Sequence, residues 1–403
     1  MGKVLAEARG DVQEAIDMAY YMAAEGRRQF GLVVPSELPS KSACCMREPV
    51  GVAGLITPWN FPLAIPAWKI FPALILGNTV VLKPSPETPV TAAEFIKILD
   101  ECGVPPGVVN LVLGSSTQLG ESLVRHPDVG VISFTGSTAT GSDVAVAAAT
   151  YHKRVALELG GKNAILVLDD ADLDLAVDGI VWSAFGTSGQ RCTACSRLIV
   201  QASVKDRLMK KLLAKVAKLQ VGNGLKPGVD LGPLVSLAQL ERVQEYVRIG
   251  IEEGAELLVG GHRLTEGEYA RGFFFAPTVF DHVEPGMRIA REEIFGPVLA
   301  VIEVKDLDEA IGVNNGVPYG LSTAIYTRDI NRAYQAMQEI RTAVVYVNAG
   351  TIGSEVHLPF GGMRRTGNGH REAGQAVLDT FSEWKTLYVD WSGRLQRAQI
   401  DRS

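Results

Sequence analysis

A cysteine at position 192 stands in the stretch Gly189-Gln190-Arg191-Cys192-Thr193-Ala194-Cys195-Ser196, after an apolar run from Gly179 to Phe185 that reads as the end of a helix. A thiol at a helix-to-loop edge meets free backbone N–H groups. Those amides and the adjacent Arg191 would favour the thiolate, the form that attacks a carbonyl carbon. Free cysteine is more often a buried core residue, so Cys192 by itself is only a candidate. A second reactive type is Glu158, at the end of an apolar strand and before Gly160-Gly161. Two glycines give that carboxylate room to swing, and partial shielding from water would bring it to a pKa of about 6 to 7, suited to a general base. Gly136 to Gly141, reading Gly-Ser-Thr-Ala-Thr-Gly, opens an expected helix after an expected strand. The amides at such a helix start, with the Ser137 hydroxyl, can receive a pyrophosphate, although Ser and Thr there more often only cap. Lys83, at a strand end before Pro84, can aim its ammonium at ribose or phosphate oxygens. No Gly-x-Gly-x-x-Gly is present.

These groups need a scaffold, and the hydrophobic pattern describes one. From Val50 the chain alternates short apolar strands (50–57, 79–82, 109–113, 129–134, 155–159, 164–168) with helices at 90–100 and 137–150, the pattern of a mostly parallel, doubly covered sheet. A second α/β series runs from about 172 to 348, with helices expected at 172–185, 204–218, 236–253, 307–315 and 329–340 and strands near 198–200, 321–326 and 344–347. Before them lies an amphipathic helix, with Asp11 and Glu14 in capping-box spacing and Val12, Ile16, Ala19 and Ala23 on its apolar face. Residues 30–48 read as a two-strand ribbon, and 384–390 as a single exposed strand. A chain of 403 residues exceeds the size of one core, so two large domains are expected.

Composition narrows the function. A net charge of −6 gives no general attraction for nucleic acid or an acidic membrane, and no run reaches the ~20 apolar residues of a membrane span. Five cysteines with no secretory leader point to a reducing compartment, the cytoplasm. Cys192 and Cys195 form a C-x-x-C spacing, but no second pair follows to complete a zinc site, and no metal is expected.

Six separated blocks then resemble the aldehyde dehydrogenase superfamily: Pro58-Trp59-Asn60-Phe61-Pro62, Lys83-Pro84-Ser85, Phe134-Thr135-Gly136-Ser137, Glu158-Leu159-Gly160-Gly161, Gly189-Gln190-Arg191-Cys192-Thr193 and Glu292-Glu293-Ile294-Phe295-Gly296-Pro297. They occur in family order across the chain, although family members are usually longer at the N-terminus. The resemblance implies an α/β, aldehyde dehydrogenase-like fold. A Rossmann-type cofactor domain would be built from 1–29 and 49–160 and be N-terminally incomplete, with a catalytic domain over 161–370 and oligomerisation strands at 30–48 and 376–392. It implies NAD as cofactor, held by Thr57, Pro58, Trp59, Lys83, Ser85 and Pro86, by Gly136, Ser137, Leu159 and Gly160, and by Glu293 and Phe295. Many NAD-selective relatives carry a glutamate where this chain has Pro86; without a carboxylate to repel a 2'-phosphate, NADP is the alternate cofactor.

The implied reaction converts an aldehyde to its acid. Cys192 adds to the carbonyl, a hydride passes to the nicotinamide, and water cleaves the resulting thioester. Asn60 and the Cys192 amide would hold the oxygen anion, and Glu158 would serve as base. The CoA-acylating branch typically lacks that glutamate, so hydrolysis to a free acid is expected ahead of acylation; a non-catalytic nucleotide-binding or structural oligomer is the other alternative. The partners implied are a small aldehyde and further copies of the chain, as a homodimer or tetramer. Substrate identity is faintly written. Gly186 suggests an open channel, Phe61, Trp68 and Trp182 offer apolar wall, and Glu355, His357 and Met363-Arg364-Arg365 suggest an anionic or hydroxylated aldehyde.

Overall fold

The computed structural model describes residues 1–114 and 116–400. Five parallel strands make the first sheet, in spatial order Val109–Leu111, Thr79–Lys83, Val52–Ile56, Val129–Thr135 and Arg154–Glu158. Alternate residues along them enter two cores: Val131 packs on one face with Leu55 and Leu82, and Ile132 and Phe134 on the other with Val144 and Ala148 of helix Thr138–Ala149. Burial on both faces explains why these strands read as unbroken apolar runs.

The second sheet has seven strands, in the order Glu256–Val259, Thr278–Asp281, Val298–Val304, Cys195–Gln201, Asn163–Val167, Ser322–Tyr326 and Val344–Val347; the first of these is antiparallel and the rest parallel. The ribbon strands Leu32–Pro35 and Lys41–Pro49 are joined by Ser382–Asp390, which pairs along the length of Lys41–Pro49. The terminal strand is therefore the third member of a small antiparallel sheet. Leu32, Val33, Trp384, Tyr388 and Val389 remain exposed on it.

The first helix departs from expectation. It spans Leu5–Glu25 and buries Glu7, Asp11, Ala15, Met18, Met22 and Glu25, while Val12, Ile16 and Ala23 face outward. Carboxylates occupy the inner face because each finds partners there, which removes most of the burial cost. Asp11 does cap a helix, though not its own: its Oδ1 accepts the N–H of Ala64 at 2.8 Å, the first residue of helix Ala64–Ile75.

That second helix has no periodic signal. It is apolar on nearly every side and contains Pro66 and Pro72, residues that argue against a helix when read locally. An all-round apolar helix forms where it is enclosed, and here the first helix and the five-stranded sheet enclose it.

Candidate active site

Four strands of the first sheet end at one edge, and the segments leaving them are Thr57–Asn60, Pro84–Pro86, Gly136–Ser137 and Leu159–Gly160. The carboxyl edge of a parallel sheet is where ligands bind in such folds. A cavity of about 630 Å³ opens there, lined among others by Thr57, Pro58, Trp59, Lys83, Ser85, Pro86, Gly136 and Ser137. Pro58, Trp59, Thr135, Gly136 and Ser137 also line a second cavity of about 220 Å³, whose other walls include Asn60, Leu159, Gly160, Cys192, Glu293 and Phe295. The residues nominated for catalysis and cofactor binding, except Glu158, thus border these two adjoining cavities, whereas those nominated for the substrate channel line neither.

The loop that carries Cys192 is built under strain. Thr187, Ser188 and Gly189 all have left-handed backbone, with φ of 52°, 56° and 69°, a conformation that a β-branched threonine adopts only when its surroundings impose it. The imposition is visible. Thr187 N–H donates to Glu7 at 2.7 Å, Arg191 Nε to the Thr187 hydroxyl at 2.8 Å, and Ser188 Oγ to the Gly232 carbonyl at 2.7 Å. A Cβ at Gly189 would lie 2.2 Å from the Gly296 carbonyl oxygen, so only glycine fits. Beyond the turn, Asn163 Nδ2 donates to the carbonyls of Cys192 (2.7 Å) and Ala194 (3.0 Å) while its Oδ1 accepts Ser322 N–H. The sulfur's carrier is fixed at both ends.

The resting sulfur is nevertheless a thiol. Burial, reinforced by the charges of Glu158 and Glu293, pushes Cys192 up to about 12. Arg191 does not offset this, because its guanidinium is committed to Glu7 at 3.0 Å and lies over the rings of Trp182 and Phe61. The expectation of a pre-formed thiolate is corrected: proximity in sequence put a cation next to the cysteine, but the side chain turns to a carboxylate on the first helix. Cys195 enters a different core from Cys192, with its sulfur against the Arg197 carbonyl, so the C-x-x-C spacing does not bring the two sulfurs to one site.

Asn60 is 3% exposed and donates one amide hydrogen to the Gln190 carbonyl at 3.1 Å; a primary amide has a second. Glu158 stands at the end of Arg154–Glu158, buried, with its Oε1 against Gly361, and lines neither cavity. Burial and the negative charge of Glu372 raise its pKa well above the usual carboxylate range, opposed by Lys69, Arg371 and the Gly362 amide. Lys69 and Glu372 form a buried ion pair with Ser133, whose hydroxyl accepts from Lys69 at 2.8 Å. Sequence reasoning missed this pair. The available signal was a lysine inside Trp68-Lys69-Ile70-Phe71, since a cation in an apolar helix is rarely idle.

The 630 Å³ cavity suits a dinucleotide. Thr57 and Thr135 stand on its wall, and their hydroxyls find no hydrogen-bond partner among the described residues. Lys83 is 3% exposed, reaches only the Pro84 carbonyl at 3.3 Å, and is lowered in pKa by burial; it is no solvated surface lysine. Ser85 accepts the Glu87 amide and keeps its own hydrogen to donate. Ser137 caps helix Thr138–Ala149, whose first turns border the cavity. In the smaller cavity Glu293 accepts the Gly161 amide at 3.0 Å, and a Cβ at Gly160 would strike its carboxylate at 2.2 Å. Phe295 lies edge-on to Trp59 at 5.5 Å. Glu292 serves the scaffold, accepting from Tyr246 and Arg288.

Two parts of the substrate reading change. Trp68 is a core residue, packed edge-on against Phe360, and Arg364 is consumed by the carbonyls of Asn315, Val317 and Arg341. Two cations, Arg191 and Lys3, lie instead over the Phe61 ring, paired with Glu7 and Asp11 of the first helix.

A model of the aldehyde dehydrogenase family matches residues 1–387. The alpha-ketoglutaric semialdehyde dehydrogenase of Bacillus subtilis is 43% identical over 389 residues, covering 96% of this chain and 80% of that protein. The alpha-ketoglutarate semialdehyde dehydrogenase of Haloferax volcanii is 46% identical over 391 residues, with the same coverage of 96% and 80%. The crystal structure of betaine aldehyde dehydrogenase from Staphylococcus aureus in complex with NAD+ superimposes with a TM-score of 0.95 at 35% identity, covering 98% of this chain and 78% of that one.

Proposed function

This chain belongs to the aldehyde dehydrogenase family, and on that premise we propose which of its residues carry the oxidation of an aldehyde to a carboxylic acid. The activity is NAD-dependent aldehyde oxidation. Bound NAD supplies the hydride acceptor. Cys192 gives its proton to Glu158 as its sulfur bonds to the carbonyl carbon, a transfer required because the resting thiol is so weakly acidic. The second amide hydrogen of Asn60 and the N–H of Cys192 hold the oxygen as it gains charge. Once the carbon is oxidised to the thioester, Glu158 releases that first proton to solvent and takes another from the attacking water; the carbon–sulfur bond then breaks, and the proton held by Glu158 returns to the departing sulfur to restore the Cys192 thiol. Glu158 must swing off Gly361 to do this, which the adjacent Gly160-Gly161 permits. The burial of Glu158 at the strand end before Gly160-Gly161 is the observation that supports the assignment, since burial and the Glu372 charge raise its pKa and so strengthen it as a proton acceptor.

Thr57, Pro58, Trp59, Lys83, Ser85 and Pro86 hold one part of the cofactor, with Gly136, Ser137, Leu159, Gly160, Glu293 and Phe295 around the rest. NADP is the alternate cofactor, because Pro86 brings no carboxylate to the ribose. The substrate is a semialdehyde, a reading supported by the names of the two semialdehyde dehydrogenases. Residues 1–29 with 49–160 act as the cofactor domain and 161–370 as the catalytic domain. The exposed apolar ribbon of 30–48 and 376–392 builds a homodimer or a dimer of dimers. No described helix is long and apolar enough to cross a membrane, and the five free thiols support a cytoplasmic setting.

The test is NAD and NADP reduction with neutral aldehydes and ω-semialdehydes, with and without coenzyme A. Turnover that requires coenzyme A would replace hydrolysis by acylation and remove Glu158 from the role of hydrolytic base.

A further inference from the structure

Three carbonyls in a row, those of Glu293, Ile294 and Phe295, are held by side chains of a single helix, Leu237–Glu252. Gln239 Nε2 donates to the Ile294 carbonyl at 3.1 Å and to the Phe295 carbonyl at 2.7 Å. Arg242 donates to the Ile294 carbonyl at 3.3 Å through Nε and to the Glu293 carbonyl through its terminal nitrogen. One turn further, the Tyr246 hydroxyl donates to the Glu292 carboxylate at 2.7 Å. Residues 239, 242 and 246 share one helical face, so this face grips four consecutive residues. Gly296 completes the contact: a Cβ there would lie 2.4 Å from Val243 Cγ2 on the same helix.

The gripped segment holds a conformation it would not choose. Phe295 has φ of +61°, left-handed backbone that an aromatic residue keeps only where its neighbours over-determine it. From this we infer that Gln239 and Arg242, which also border the smaller cavity, are positioning residues for cofactor use: by fixing the carbonyls of 293–295 they set where the Glu293 carboxylate and the Phe295 ring stand against the cofactor. The same segment abuts the nucleophile loop through the contact between Gly189 and the Gly296 carbonyl, so the helix face also sets the distance from that end of the cofactor to the sulfur. The inference rests on the reading of Glu293 as a cofactor contact.

The test uses the full chain with Arg242→Met, which keeps an unbranched apolar stem, and Gln239→Met as a second variant in case the first fails to fold. Hydrogen exchange without cofactor should rise at the amides of 293–296 while the second-sheet core stays protected. KM for NAD should rise at least tenfold. Cys192 can also be acylated by an activated ester without any cofactor, so the ratio of NAD-dependent to cofactor-free turnover should fall at least tenfold. Unchanged exchange with a raised KM would make these side chains direct ligands and overturn the positioning role. So would parallel losses of both activities with lowered thermal stability. Glu293→Ala with undiminished NADH affinity would instead remove the underlying reading of Glu293, whatever Arg242→Met does.

Discussion

Alkylation of Cys192 as a function of pH examines the least expected property of the site, its resting protonation. An ordinary protein thiol near pKa 8.5 is about one-tenth ionised at pH 7.5. With Cys192 pushed up to about 12, chiefly by burial, its thiolate fraction is lower by roughly three and a half orders of magnitude. A more basic thiolate is also the better nucleophile, with a Brønsted slope of about 0.4 to 0.5, which recovers about one and a half orders. Iodoacetamide should therefore modify Cys192 about a hundredfold more slowly than a simple thiol at pH 7.5. The rate should climb nearly tenfold per pH unit through pH 10. Mass spectrometry of the peptide containing residue 192 reads the rate, and the exposed Cys102 serves as an internal clock. A plateau below pH 9 would refute the argument, because it would mean that the sulfur is already ionised and needs no base.

Glu158→Gln should lower aldehyde turnover by about 10²- to 10⁴-fold without slowing alkylation of Cys192, whose thiolate that carboxylate disfavours; parallel losses would deny it the role of base. Replacing Glu372 by Gln removes a negative charge that raises the Glu158 pKa, so the acid limb of the kcat profile should move to lower pH, and an upward move would contradict the sign. Arg191→Met should lower turnover of neutral aldehydes and ω-semialdehydes alike, because Arg191 braces Thr187 and Glu7 under the loop that carries Cys192, and unchanged turnover would deny the loop that support. Cys195 is likewise pushed up to about 12 by burial; a raised thiol stabilises the fold below its unfolded pKa near 8.5 and loses that contribution as pH rises toward 12. Cys195→Ala should then flatten the fall of the urea midpoint between pH 8 and 10, and an unaltered slope would assign the alkaline loss elsewhere.

What sequence reasoning captured shares a physical basis: the signal was local. Helix Leu307–Asn315 was placed to the residue because Asp306 caps it and its apolar period is clean. The strands of the first sheet were legible as apolar runs between turn residues. What it missed depends on contacts between distant segments. Asp11 looked like a cap for its own helix because Glu14 follows it, yet Ala64 lies 53 positions away in sequence and takes the bond. Helix Ala64–Ile75 was hidden by its prolines and even apolarity, and with it Lys69. Strands Glu256–Val259, Thr278–Asp281 and Val298–Val304 went unassigned, and the grip of Gln239 and Arg242 on 293–295 joins residues more than fifty positions apart.

The site's location follows from how the two sheets are joined. The chain leaves the first sheet at Glu158, turns at Gly160-Gly161 and enters the second at Asn163, so four residues separate the Glu158 carboxylate from the amide that ties down the Cys192 loop. Neither sheet could hold a working arrangement by itself. The carboxyl edge of the first presents the cofactor cavity, while the sulfur enters on the loop before Cys195–Gln201, the strand next to Asn163–Val167 in the second. Side chains at this junction need little freedom except at Glu158, the one group assigned to take up a proton twice, and that carboxylate is followed at once by Leu159 and then two glycines. Gly161 donates to Glu293, so cofactor-side and base-side positions meet on adjacent residues of one crossing. A substitution that stiffens this crossing, such as Gly160→Ala with its Cβ driven into the Glu293 carboxylate at 2.2 Å, should therefore impair cofactor use and thioester hydrolysis together, whereas changes confined to either sheet should affect one at a time.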